Sequence, residues 1–238
     1  MIWLKETDSV LEYVKARAAE GLKHWTCVCA ERQTAGRGRL GRAWLSPEGG
    51  VYLAILIRPR RSISGLSLAM ALWTSDFIES QIGARCEIMW PNDLYCYGKK
   101  LCGILLEGAS AGDGDRYIAA GIGINLNSRV KDEGRNPEGL NPVSISEITG
   151  KTTNREHFAE DLSEQLRFCY EGFERNGFEP YRIPILEKCP MIGKKVEITE
   201  NGEKRTAVAK GIGPDGELVT ERNGEPESVW NCDRIRIV

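Results

Sequence analysis

The chain has 238 residues, 41% hydrophobic and 28% charged, with a formal charge of -2. That is enough apolar material for one medium domain and a small satellite without metal or disulfide staples. The near-neutral balance excludes a protein whose whole surface is an electrostatic footprint for nucleic acid, so any anion site must be local.

In chain order, Met1 to Asp8 lacks the basic start and long apolar run of a signal peptide, and no stretch is apolar for long enough to cross a membrane. The expectation is a cytoplasmic protein with no membrane partner. Thr7, Asp8 and Ser9 offer caps for a helix from Val10 to Ala19, stopped by Gly21. A strand is expected from Trp25 to Ala30, then a glycine-rich loop from Gln33 to Arg42, then a buried strand from Val51 to Ile57. Ser64 to Ile82 is apolar around most of its circumference, which predicts a helix packed deep against a sheet. Strands follow at Glu87 to Trp90 running into Leu94 to Tyr97, at Leu101 to Glu107 and at Tyr117 to Asn125. They are punctuated by Pro91-Asn92-Asp93, Gly98-Lys99-Lys100 and Gly112-Asp113-Gly114-Asp115, short spacers that favour antiparallel hairpins. After a Gly/Pro/Asn-rich loop near 128 to 142, Thr153 and Glu156 have the form of a capping box for a helix to about Asn176. From Cys189 onward, short β-like pieces separated by Asn201-Gly202, Pro214-Asp215-Gly216 and Asn223-Gly224 read as a small β-barrel.

The eight cysteines are scattered with no C-x-x-C among them, and they read as reduced thiols. With two histidines in the chain, His24 and His157, a histidine-based metal site is not expected, and no metal ligand is assigned.

Two segments carry chemistry. Gly36, Gly38 and Gly41 satisfy G-x-G-x-x-G numerically, but a dinucleotide-binding turn needs a helix at the third glycine, and here Ala43 to Gly50 leads into a strand. What remains is four arginines (Arg32, Arg37, Arg39, Arg42) with no acid between Arg32 and Leu45. The glycines among them let backbone N–H groups approach a ligand closely, and guanidinium forks match phosphate and carboxylate geometry. A solvated basic loop and an RNA-binding arginine-glycine element are the alternatives. The second segment is Trp90-Pro91-Asn92-Asp93 followed by Lys100 at the mouth of an apolar strand. Gly103 in that strand lacks a side chain, which would let a ligand lie against the sheet.

The segment from Gln33 to Arg42, with Trp44, Ser46 and Pro47 after it, resembles the adenylate-binding loop of biotin protein ligases. Trp90-Pro91-Asn92-Asp93, Lys100 to Glu107 and Gly121-Ile122-Gly123-Ile124-Asn125 are similar to three further family blocks in the same order. The resemblance implies an α+β fold: a mixed or antiparallel sheet with flanking helices, catalytic over 1–186, and an SH3-like β-barrel over 187–238. It implies that Thr7, Gln33, Gly36, Arg37, Arg39, Lys100 and the backbone near Gly103 and Leu105 hold biotin. Arg37, Arg39, Arg42, Trp44, Asn92, Lys100 and Asn125 would hold the nucleotide, and magnesium is expected with ATP. The implied partner is a biotin carboxyl carrier protein, of acetyl-CoA carboxylase or another biotin-dependent carboxylase, and a homodimer through sheet edges is open. Where the family has a Ser-Thr-Asn run at the first helix, this chain has Glu6-Thr7-Asp8, which implies a missing serine contact to biotin and an added acid. The first helix begins within ten residues of Met1, so neither an N-terminal DNA-binding domain nor a DNA partner is expected.

The implied reaction activates biotin as biotinyl-5'-AMP and transfers it to a carrier lysine. Lys100 and Arg37 would offset charge on the α-phosphate, and Asp93 would orient or accept the carrier lysine's proton. A lipoate or octanoate ligase or transferase of related architecture is the enzymatic rival. A non-catalytic ligand-binding or RNA-binding module is the rival from another class.

Overall fold

A computed structural model describes residues 1–110, 116–128 and 141–238. The turn expected over 112–115 lies outside the described residues, and so does the loop expected near 128 to 142 except for its ends. Seven strands form one sheet: β1 (Ile2–Thr7), β2 (Cys27–Gln33), β3 (Val51–Ile57), β4 (Glu87–Met89), β5 (Asp93–Cys96), β6 (Lys99–Ser110) and β7 (Arg116–Ile124). Their order is β1-β2-β3-β7-β6-β5-β4. β1 and β2 run parallel, whereas the β2–β3, β3–β7, β7–β6, β6–β5 and β5–β4 pairs are antiparallel. The sheet is therefore mixed.

β3 shows why its sequence is an unbroken apolar run. Val51, Leu53, Ile55 and Ile57 project to one core and Tyr52, Ala54 and Leu56 to another, because successive side chains of a strand point to opposite faces. The helix α1 (Val10–Ala18) covers the second face with Val10, Leu11 and Val14. The first face is covered by α2 (Leu66–Ile82), whose apolar residues on all sides fit its buried position, and by α3 (Ile145–Thr149), α4 (Arg155–Asn176) and α5 (Glu179–Lys188).

The C-terminal strands β8 (Lys195–Glu200), β9 (Glu203–Ile212), β10 (Leu218–Arg222), β11 (Glu225–Val229) and β12 (Arg234–Ile237) form an antiparallel sheet in the order β11-β10-β9-β8-β12. The Asn201-Gly202 and Asn223-Gly224 pairs make its hairpin turns with both residues at positive φ, the conformation in which asparagine and glycine are least strained. Val196, Ile198, Ala209, Leu218 and Val229 extend the apolar cluster around α2 into this sheet. The Trp90 indole N–H donates to the Gly216 carbonyl at 3.0 Å across the junction.

Several expectations need correction. β1 was not foreseen, since six residues at a terminus carry too little periodicity to read. α5 was missed because it contains Pro180 and Pro184; the first sits in the opening turn, where a missing N–H costs nothing. β2 begins at Cys27, because Trp25 sits at φ 61, and runs on to Gln33. The capping box lies at Ser144 and Glu147 on α3 and not at Thr153 and Glu156. α4 is capped by Asn154, whose side chain accepts from the His157 N–H at 2.9 Å. Asn154→Ala should therefore cost about 1 kcal/mol in urea denaturation, and Thr153→Ala should stay within about 0.5 kcal/mol of the parent. The reverse order would restore Thr153 as the cap.

Candidate active site

The loop after β2 is built from its ends inward. The Gln33 Oε1 accepts from the Val10 N–H at 2.9 Å and its Nε2 donates to the Ser46 hydroxyl at 2.8 Å, so one side chain ties both loop ends to the start of α1. Between them the Trp44 N–H donates to the Gly36 carbonyl at 2.8 Å and the Gly38 N–H to the Arg42 carbonyl at 2.7 Å. Leu40 and Gly41, both at positive φ, turn the tip. The loop is thus a short closed arm lying across the sheet.

Trp44 seats that arm. Gly103 and Gly123 stand opposite each other in β6 and β7. A Cβ on Gly103 would lie 2.9 Å from the Trp44 ring, and one on Gly123 would lie 2.5 Å from its Nε1. The bare strand surface that the sequence suggested for a ligand is therefore occupied by the indole, which shares the wall of the adjoining cavity.

That cavity has a volume of about 380 Å³. Of the residues singled out in the sequence, Gln33, Arg37, Arg39, Arg42, Trp44, Asn92, Asp93, Lys100, Gly103, Leu105 and Asn125 line it. Thr7 and Gly36 do not. The Thr7 hydroxyl donates to Asp8 at 3.1 Å, and the Gly36 carbonyl is spent inside the loop. The Lys100 ammonium is 2.6 Å from Asp93 Oδ2 and 5.4 Å from the centre of a Trp44 ring. Asn92 donates to the Ile104 carbonyl at 2.7 Å, and Asn125, almost fully buried, reaches the Lys100 carbonyl at 3.4 Å.

The four arginines divide. Arg32 pairs with Glu6 at 3.0 Å and does not line the cavity. Arg37 rests on Glu12 at 3.0 Å, and Glu12 also receives Lys15 at 2.9 Å. Arg39 donates to Asn92 and to the Cys232 carbonyl, both at 3.4 Å, and to the Asn231 side chain; Arg42 donates to the Asp233 carbonyl. Burial pushes the Arg39 pKa down, with Arg42 adding to the effect and Asp93 opposing it. Five cations (Arg37, Arg39, Arg42, Lys100, Arg234) and two acids (Asp93, Asp233) line the cavity, an excess of three positive charges that suits an anionic ligand.

Two contributions were not read from the sequence. Glu6, the expected added acid, pairs with Arg32 and does not line the cavity, whereas Ser9 does. Ser9 is 2% exposed, and its Oγ has no hydrogen-bond partner among the described residues. Its place as the N-cap of α1 was the available signal. Its own N–H donates to Asp8 at 2.7 Å, which together with the Thr7 hydroxyl holds the Asp8 carboxyl below its usual pKa. Cys232 to Ile235 form part of the opposite wall, and nothing in their sequence marks them.

The family profile of the biotin/lipoate A/B protein ligases matches residues 4–125. A biotin–[acetyl-CoA-carboxylase] ligase of Paracoccus denitrificans is 31% identical over 221 residues, spanning 91% of this chain and 92% of that protein. The bifunctional ligase/repressor BirA of Bacillus subtilis is 31% identical over 228 residues, spanning 93% of this chain and 68% of that protein. A solved biotin protein ligase of Aquifex aeolicus, in complex with biotin and ATP, superimposes with a TM-score of 0.87 at 30% identity, covering 100% of this chain and 98% of that one.

The chain belongs to the biotin/lipoate A/B protein ligase family. In this family member no group of three or more His, Cys, Asp or Glu side chains among the described residues forms a cage for a cation. Two carboxylates, Asp93 and Asp233, line the cavity, and magnesium held on ATP phosphates needs no more than one or two. The orphan Ser9 hydroxyl makes a stability statement of its own. Ser9→Ala should leave the ligand-free protein as stable as the parent, or more stable by up to about 1 kcal/mol, since a buried hydroxyl without a partner contributes only its desolvation cost. A loss above that figure in urea denaturation would show that the hydroxyl has an internal partner.

Proposed function

We propose that this ligase activates biotin as biotinyl-5'-AMP and transfers it to a lysine of a biotin carboxyl carrier protein. The observation that carries the reading is the convergence of the arginine loop, Lys100 and Asn125 on one cavity with an excess of positive charge, in a chain that matches biotin ligases over nearly its whole length. Joining a carboxylate to ATP brings two anions together, and preorganised cations offset that repulsion without reorganising during the reaction.

In this reading a biotin carboxylate oxygen forms a bond to the α-phosphorus, the bond from that phosphorus to the bridging oxygen breaks, and pyrophosphate leaves. Lys100, oriented by Asp93 at 2.6 Å, faces the carboxyl and the α-phosphate, and Arg37 engages the phosphate of the adenylate. Gln33, Arg39 and the backbone near Gly103 and Leu105 bind biotin. Arg42, Trp44, Asn92 and Asn125 bind the nucleotide. Thr7 and Gly36 act through the loop and the start of α1. Magnesium carried with ATP would supply charge neutralisation on its phosphates. In the second half-reaction the deprotonated carrier amine bonds to the acyl carbon, the acyl–phosphate bond breaks and AMP leaves. The carrier lysine has a reference pKa of about 10.4 and must first lose a proton, and Asp93 is the acceptor in reach of Lys100.

The reading extends to a catalytic unit over 1–186 and an SH3-like unit over 187–238, supported by β12 returning beside β8 in the strand order. The thiols, all eight of them free, suit a cytoplasmic enzyme. A homodimer would form through a sheet edge, where backbone groups await partners.

ATP–pyrophosphate exchange with biotin, lipoate and octanoate tests the assignment. Exchange stimulated by biotin is expected, whereas stimulation by lipoate or octanoate alone overturns it. Lys100→Ala should lower biotin-dependent exchange by roughly a hundredfold or more with little change in the melting curve. Activity within tenfold of the parent would remove Lys100 from its role. Arg37→Ala should release the adenylate about tenfold to a hundredfold faster, the loss of one charge-assisted contact. It would then biotinylate an irrelevant lysine-rich protein, and no rise in bystander labelling would unseat Arg37 as the phosphate clamp.

A further inference from the structure

We propose that Asn231, with the two residues after it, latches the arginine loop in place, and that this latch governs how long the adenylate is retained; the retention half rests on the ligase reading above. The loop closes on itself through backbone hydrogen bonds from Gln33 to Ser46, Gly38 to Arg42, Arg42 to Arg39 and Trp44 to Gly36, and the Trp44 ring seats its returning limb on the sheet. Its tip, where Leu40 is 56% exposed, lies beyond that seat and opens readily unless something outside it holds on. The start of α1 holds the near end through Gln33 and the Arg37–Glu12 pair. The far end is held by the other sheet.

The holding surface is built for the purpose from backbone and one amide. The Asn231 side chain folds back so that Oδ1 accepts from the Cys232 N–H at 2.9 Å, and the same oxygen accepts from Arg39 Nη2. The Cys232 carbonyl accepts from that nitrogen at 3.4 Å, and the Asp233 carbonyl accepts from Arg42. Asp233 is itself fixed, its N–H donating to the Thr199 carbonyl at 2.8 Å and its Oδ2 accepting from the Gly202 N–H at 3.1 Å. The β11–β12 connection, anchored at Asp233 to the β8–β9 hairpin, thereby aims three neutral oxygens at two guanidinium groups.

Neutrality is the useful property. A guanidinium has five donors, so Arg39 can keep Nη2 on the latch and offer its remaining N–H groups to an anion in the cavity. A carboxylate at position 231 or beside it would compete with a phosphate more strongly than an amide does. Glu12, which holds Arg37, is such a carboxylate, so the two ends of the loop are held by acceptors of different strength. Asn231 is a positioning residue here: it acts through Arg39.

The test compares Asn231→Leu, which removes the acceptor, with Asn231→Asp, which keeps an oxygen for the same two donors. In the full chain without ligand, amide hydrogen exchange at Gly38, Arg42 and Trp44 should rise roughly tenfold in Asn231→Leu and stay within about threefold in Asn231→Asp. With ATP and biotin, Asn231→Leu should release biotinyl-AMP roughly tenfold faster while the kcat of pyrophosphate exchange stays within about threefold. In an Arg39→Ala background the same substitution should add nothing. Unchanged loop exchange in Asn231→Leu overturns the latch. So does an aspartate variant that behaves like the leucine one, or a full additional effect without Arg39. Should Asn231→Leu fail to fold, Asn231→Ala deletes the acceptor alone and is read the same way. If the parent makes no biotinyl-AMP, the ligase assignment fails, and the ligand-free exchange still decides the latch.

Discussion

The placement of Trp44 on two facing glycines is the contact on which the site depends. Gly103 and Gly123 leave a side-chain-free strip on the α1 face of the sheet, and the indole lies on it at distances that admit no Cβ beneath. Close packing of this kind is stiff, because a single methyl group would have to move the ring. Once the ring is seated, Gln33 and Ser46 fix the loop ends beside α1, and the arginines fall along one side of the cavity. The same ring stands 5.4 Å from the Lys100 ammonium, so the plug and this cation share a wall.

A cavity carrying an excess of like charge has to be stabilised before its ligand arrives. The protein does this only partly with opposite charge. Arg37 and Lys100 each face a carboxylate, Glu12 and Asp93, whereas Arg39 and Arg42 take neutral amide and carbonyl oxygens. Holding cations with dipoles keeps their donors satisfied while leaving the field in place for an incoming anion. It also makes the C-terminal sheet part of the site, although that sheet follows the arginine loop by more than a hundred residues in sequence.

Much of this was legible from residue order. The strand β3, the deep helix α2 and the two Asn-Gly hairpins follow from periodicity and turn chemistry that act over a few residues. Eleven of the thirteen proposed site residues reach the cavity, because they lie in short segments whose local structure carries them there. Thr7 and Gly36 fall outside because membership of a segment does not say which way a group faces. Ser9 and Glu6 show the same limit: three residues apart, one lines the cavity and the other pairs with Arg32 away from it.

The sequence by itself determined the family, the strands and helices with strong periodicity, and the chemical character of the loop, since each of these resides in local order and composition. Tertiary structure alone decided that Trp44 fills the strip at Gly103, that Asp93 faces Lys100, and that Asn231 to Asp233 meet Arg39 and Arg42. Trp44 and Gly103 are far apart along the chain, as are the arginines and Asn231 to Asp233, while Asp93 meets Lys100 across the β5–β6 pairing, where the register shifts between Leu94 and Tyr95; all three contacts depend on distances and burial that exist only in the folded chain.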